Sequence, residues 1–274
     1  MKGLERLDLP HKQKEVLDRN SLIITIDGST TAGKRIVAEQ LASRYGLTVL
    51  DTGNTIRALA LLAIENNLVQ TDESNVTQVP VDFADKVVDL YEHMPIPLTI
   101  EKPISDEHMA RVMVGNRNMR GELLTFRKRK AIDNLTAMIA ASPRIREKLY
   151  TLWRSAVSEL GGTIVIGRKT GVDLFPDAPI KFYFFASPQA SAAYRVNHDP
   201  TATLIKSSEE LYVRERDSWE KGKGLLERPI GALVVDTSEY IISSQKGLSL
   251  LENRIAYYID SRFEIRNGHP RPAR

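Results

Sequence analysis

Two glycines that bracket four residues and are followed by a lysine form the most chemically loaded stretch of the chain, Gly28-Ser29-Thr30-Thr31-Ala32-Gly33-Lys34. In the spacing G-x-x-x-x-G-K each glycine lets the backbone turn so that successive N–H groups point inward at an anion. Lys34 can then reach the outer phosphates of a nucleotide as a point charge. The hydroxyl that commonly follows such a lysine and helps hold Mg²⁺ is missing, because Arg35 and Ile36 come next. Asp27, just ahead of the loop, could cap the turn or accept a metal-bound water. Arg57, Arg144 and Arg146 lie on amphipathic helices, as do Arg214, Arg216, Lys221 and Lys223; by position alone these cations could face phosphate or solvate an outer helix face.

A loop of this kind needs a strand to aim it and a helix to close it. The run Leu22 to Ile26 is nearly continuous and β-branched, which suits a strand buried on both faces of a parallel sheet. Ile36 to Ala42 continues as an amphipathic helix, whose N-terminal partial charge adds to the phosphate site. Gly46 stops that helix. Leu47 to Leu50 reads as a second buried strand ending at Asp51-Thr52-Gly53, and a helix follows from Thr55 to Asn66. Three more buried runs, Thr163 to Ile166, Ile180 to Phe185 and Ala232 to Asp236, alternate with helices opened by Ser142-Pro143 and Ser187-Pro188. A final amphipathic helix uses Leu248, Leu251, Ile255 and Ile259. Strands alternating with helices imply a parallel sheet flanked on both sides. Between 69 and about 121 the rhythm breaks. Leu98 to Glu101 and Met109 to Val114 alternate in polarity among prolines, which suggests a small antiparallel insertion, and a helix from about Leu123 to Ala140 follows. Residues 1–20 read as a loosely packed N-terminal extension and residues 267–274 as a disordered tail.

With 274 residues and 42% hydrophobic content, the chain can hold one large α/β domain with an insertion. A net charge of +3, from 38 basic and 35 acidic residues, is too slight to argue for a nucleic-acid partner, and Arg127-Lys128-Arg129-Lys130 reads as a wet helix face. The absence of cysteine excludes disulfides, thiolate chemistry and cysteine-based zinc sites, and fits a reducing compartment. The histidines show no metal-ligand spacing, so no metal ligand is assigned. With neither a membrane span nor a signal segment in view, the sequence reads as cytoplasmic.

Taken in order, these landmarks resemble the bacterial (d)CMP kinases, within the P-loop nucleoside monophosphate kinases. The likeness is carried by Ile26-Asp27-Gly28 with Ala32-Gly33-Lys34, by Leu50-Asp51-Thr52-Gly53 followed by Arg57, and by Pro143-Arg144-Ile145-Arg146-Glu147. Gly167-Arg168 with Phe175-Pro176-Asp177-Ala178-Pro179, and Arg216-Asp217 ahead of Val235-Asp236-Thr237, complete it. The resemblance implies a P-loop NTPase-type five-stranded parallel sheet flanked by helices. It implies one kinase domain over residues 21–266, with an inserted monophosphate-binding subdomain at about 69–141 and a helical lid at about 205–228. The implied activity is transfer of the ATP γ-phosphoryl group to CMP, dCMP or a related monophosphate, with ATP and Mg²⁺ as cofactors and a small nucleotide as partner. Oligomeric state is left open.

The resemblance also implies roles. Gly28, Ser29, Thr30, Thr31, Ala32, Gly33, Lys34 and Arg35 hold ATP, and Lys34, Arg168 and Arg216 act on the transferring group. Thr52 and Arg57 touch the acceptor, Arg146 and Arg168 grip its α-phosphate, and Glu220 and Lys223 lie near further lid contacts. Phosphoryl transfer offers a protein little covalent work, so alignment and charge neutralisation dominate, which is why the family carries so many arginines. The departures are specific. Lys169 stands where the family has an aspartate that accepts a hydrogen bond from the cytosine amino group, which an ammonium cannot do. Ala137 replaces a base-assisting serine, and Arg35 and Ile36 replace a glycine and a threonine. A catalytically weak or inactive nucleotide-binding regulatory module, or a P-loop kinase for another small acceptor, would keep the same loop.

Overall fold

The computed structural model describes residues 14–72, 76–125, 129–198, 227–242 and 244–267. The chain enters through a short strand β1 (Glu15–Asp18) and the buried strand β2 (Ile23–Gly28), followed by α1 (Lys34–Tyr45), β3 (Thr48–Asp51) and α2 (Thr52–Glu65). Two short strands, β4 (Gln70–Thr71) and β5 (Val76–Gln78), pair antiparallel. After α3 (Phe83–Glu92), the strands β6 (Leu98–Glu101), β7 (Arg111–Val114) and β8 (Arg117–Asn118) make a second antiparallel sheet. Helices α4 (Met119–Thr125), α5 (Arg129–Ala141) and α6 (Pro143–Leu160) lead to β9 (Thr163–Ile166) and β10 (Ile180–Phe185). The last elements are α7 (Pro188–His198), β11 (Leu233–Asp236), α8 (Ser238–Ile242), α9 (Ser244–Arg262) and β12 (Phe263–Arg266).

The five apolar runs of the sequence form one central parallel sheet in the order β11-β10-β2-β9-β3. In β2 the side chains of Ile24, Thr25, Ile26 and Asp27 are all 0% exposed, so the strand is covered on both faces, as its unbroken apolar run requires. From β2 the chain runs out to β3, returns to β9, and then crosses to β10 and β11. The order therefore reverses at β2. In open α/β sheets the carboxyl end of a strand at such a reversal is where ligands bind, and the loop Gly28–Gly33 starts there.

Two units result, Met1–Val49 with Gly161–Arg274, and Leu50–Leu160. In the first, α9 packs on α1 and on α8, burying Leu248, Leu251, Ile255 and Ile259. Each such side chain stabilises by roughly 1.5–3 kcal/mol relative to exposure. Arg44 of α1 grips Glu252 of α9 through two donors, at 2.7 and 3.2 Å. In the second unit α2 is buried all round from Ala58 to Ala63 and packs on α3, α4 and α5. Trp153 of α6 donates its indole N–H to Thr55 Oγ1 at 3.1 Å.

Three local features differ from the sequence expectation. Helix α2 begins at Thr52 rather than Thr55, because Asp51 caps it by accepting the N–H of Gly53 at 2.9 Å. The periodicity expected to give one helix over 123–140 falls on α4 and α5. In the stretch read as a loose extension, β1 is a strand, and it pairs in parallel with β12 from Glu15↔Phe263 to Asp18↔Arg266. Of the lid expected at about 205–228, residues 205–226 lie outside the described residues, as do residues 268–274 of the expected tail 267–274.

Candidate functional site

The loop starts with a close backbone approach. Gly28 has φ 133°, and a Cβ there would sit 1.8 Å from the Phe184 carbonyl oxygen of β10, so no side chain fits. Ser29 N–H donates to the same carbonyl at 3.0 Å. At the far end Gly33, with φ 75°, turns the chain into α1, whose first residue is Lys34. Lys34 Nζ folds back over the loop and donates to the carbonyls of Gly28 at 2.9 Å and Ser29 at 2.5 Å. The ammonium is thus held above the loop by oxygens it can exchange for phosphate oxygens. Thr31 adopts φ 62°, a left-handed conformation that is an outlier for a β-branched residue.

Arg168 follows β9, the neighbour of β2, and reaches the loop: its Nη2 donates to Thr30 Oγ1 at 2.5 Å. After it the chain makes one turn of π-helix, Thr170–Leu174, closed by Phe175 N–H donating to Thr170 O at 2.7 Å. Asp27 is the anchor of this turn. Its Oδ1 accepts the N–H of Thr170 at 2.7 Å and the Thr170 hydroxyl at 2.9 Å, and its Oδ2 accepts the N–H of Gly171 at 2.7 Å. The sequence left Asp27 open between capping the turn and accepting a metal-bound water; here both its oxygens accept from the turn. Burial pushes the Asp27 carboxyl above the usual carboxylate value, while the amides of Gly171 and Thr170, the Thr170 hydroxyl and the charge of Lys34 pull it back. Lys169 points to Glu227 at 3.0 Å, with Asp173 at 3.9 Å.

In the other unit Thr52 is buried in the first turn of α2, and Arg57 is half-buried on the same helix, 4.0 Å from Asp133. Arg146 is half-buried on α6, and its neighbour Arg144 pairs with Asp85. Ala137 is exposed on α5. The structure therefore brings Gly28–Lys34, Arg168 and Lys169 into one neighbourhood and carries Thr52, Arg57 and Arg146 on helices of the second unit. Arg216, Glu220 and Lys223 lie outside the described residues. Three contributors escaped the sequence reading: Thr170, Gly171 and Glu227. A glycine three residues after Arg168 was the available signal for a tight turn.

The loop suits phosphate, but among the described residues those around it do not gather the oxygens of a protein-held magnesium site. Its hydroxyls are engaged: Ser29 Oγ accepts Ala186 N–H at 3.3 Å, Thr30 Oγ1 accepts Arg168, and Thr31 Oγ1 donates to Thr30 O at 2.6 Å. Arg35 pairs with Glu39, Ile36 has no oxygen to offer, and β9 ends in Ile166. Among the described residues no three His, Cys, Asp or Glu side chains gather as a metal site.

Comparison with known proteins decides the family. The model of the cytidylate kinase family matches residues 24–245. The chain belongs to the cytidylate kinase family. It is 30% identical over 243 residues to a cytidylate kinase of Klebsiella pneumoniae, covering 86% of this chain and 98% of that protein. A cytidylate kinase of Methylococcus capsulatus is 27% identical over 221 residues, covering 79% and 90%, and one of Shewanella pealeana is 29% identical over 232 residues, covering 83% and 93%. Family membership makes the chain an ATP-dependent phosphotransferase. No helix of the described residues is long and apolar enough to cross a membrane.

Proposed function

We propose that this cytidylate kinase family member transfers the γ-phosphoryl group of ATP to CMP, dCMP or a related nucleoside monophosphate in the cytoplasm. The loop amides from Gly28 to Gly33 and Lys34 bind the ATP phosphates. A phosphate oxygen of the acceptor attacks the γ-phosphorus, the bond to the β-phosphate oxygen breaks, and ADP leaves with the electron pair. Nothing covalent forms on the protein, and the cations act by alignment and neutralisation. Arg168, standing at the loop, acts on the transferring group and with Arg146 grips the acceptor's α-phosphate; Thr52 and Arg57 touch the acceptor, with residues 69–141 as its subdomain, and Arg216, Glu220 and Lys223 belong to the lid. Mg²⁺ accompanies ATP as the nucleotide's own counterion.

The observation that carries this reading is Lys34 poised on the Gly28 and Ser29 carbonyls beside Arg168 on Thr30. A nucleotide-binding regulatory module is the second reading, favoured by Lys169 being tied to Glu227 and by the absence of a loop oxygen at Arg35 and Ile36. Coupled-assay turnover of ATP against a panel of monophosphates separates the two. Transfer to CMP with weak discrimination among monophosphates is expected. ATP binding without transfer to any of them would favour the module.

A further inference from the structure

Asp27 and Arg168 belong to a closed ring of contacts. The chain from Asp27 to Thr30 forms one side, the chain from Arg168 to Thr170 forms the other, and hydrogen bonds join both ends: Thr170 to Asp27 and Arg168 to Thr30. We propose that Asp27 is a positioning residue that holds Arg168 on the phosphate loop by locking the turn Thr170–Leu174. The inference rests on the reading of the loop as the ATP site and adds a residue that acts on it through another.

Two further observations show that the turn is held tightly. A Cβ on Gly171 would lie 2.6 Å from Thr25 Oγ1 and 2.9 Å from a Pro229 ring carbon, so only glycine lets the amides of 170 and 171 reach Asp27. Beneath it, Thr25 Oγ1 is buried with no hydrogen-bond partner among the described residues. An orphaned hydroxyl costs stability. Both oxygens of Asp27 accept from the turn, Oδ1 twice and Oδ2 once, so most of its hydrogen-bonding capacity goes into holding that turn.

The test is a double-mutant cycle read by ATP calorimetry. Thr170→Val removes one of the three donors to Asp27 and leaves both backbone amides, so it is the mild probe; Asp27→Asn, which turns an N–H₂ toward a backbone donor, is the strong one. Thr170→Val is expected to weaken ATP binding about three- to tenfold. In an Arg168→Ala background the same change should cost less than about twofold, and Thr170→Ser should restore the affinity. The loss in thermal midpoint should be equal in both backgrounds. Independent, fully multiplying effects of Thr170→Val and Arg168→Ala on ATP affinity would overturn the proposal. A ligand-free arm separates it from the kinase reading: the bond to Thr30 should slow rotation of the Arg168 guanidinium in nitrogen-15 spectra, and Asp27→Asn should speed it. Unchanged rotation in a folded Asp27→Asn protein overturns the clamp whether or not the protein phosphorylates anything.

Discussion

Lys169 Nζ lies 3.0 Å from Glu227 Oε2, across 58 positions of chain. With side chains 20% and 58% exposed, the pair contributes at most about 1 kcal/mol, but it sets where the ammonium points. An aspartate placed at 169 would face the Glu227 carboxylate and be repelled from the position a base reader needs. Lys169→Asp alone should therefore improve selectivity little. Lys169→Asp with Glu227→Lys should raise the preference for CMP over UMP about tenfold in kcat/KM. Identical selectivity in the single and double variants would remove Glu227 from the argument.

Lys34→Ala should weaken ATP binding by at least about tenfold, the value of one charge-assisted contact. The same substitution takes one donor from the carbonyls of the buried residues Gly28 and Ser29, so the thermal midpoint should fall by about 2–4 °C. Calorimetry and a thermal scan on the same samples check both halves. Equal ATP affinity in mutant and parent would remove the loop from nucleotide binding.

Thr31 holds a left-handed conformation that costs a non-glycine residue about 1–2 kcal/mol. Thr31→Gly should recover about 1 kcal/mol of that after the entropy lost by the more flexible unfolded chain. Denaturant titration measures it. A destabilised Thr31→Gly protein would mean that the Thr31 hydroxyl bond to Thr30 outweighs the backbone strain.

Arg117 bridges Glu65 and Glu122 in the Leu50–Leu160 unit, and its guanidinium holds the Glu122 carboxyl below its ordinary value of 4.5. A folded value below the unfolded one means that the unfolded chain binds more protons in that window. The contribution is present above 4.5 and is lost as pH falls through the folded value. The side chains are about one-third exposed, so screening keeps the effect small. Arg117→Met should flatten the acid limb of thermal midpoint against pH by about 2–4 °C, with the difference shrinking in high salt. Parallel acid limbs would show that the bridge is already screened away.

The sheet was legible because its strands announce themselves locally. Ile24 and Ile26 alternate with Thr25 and Asp27, yet all are buried, and a run that apolar can sit only inside a sheet. The strands β1 and β12 were illegible for the opposite reason: neither has a buried residue, and each exists only because of a partner some 250 residues away. The spacing of Gly28, Gly33 and Lys34 revealed the loop but said nothing about the residues between the glycines, so the strain at Thr31 was hidden. Arg168 was placed by family resemblance. Its hold on Thr30 and the grip of Asp27 on the following turn are side-chain matters that no periodicity encodes.

The pairing of β1 with β12 also bears on how the protein is made. A ribosome adding about 5–20 residues per second exposes residues 15–18 tens of seconds before residues 263–266 have been translated. The central sheet can assemble during that interval; this small one cannot. Until residues 263–266 have been made, β1 offers an unsatisfied edge to any passing strand, and its two acids, Glu15 and Asp18, supply the charge that discourages such pairing in the meantime.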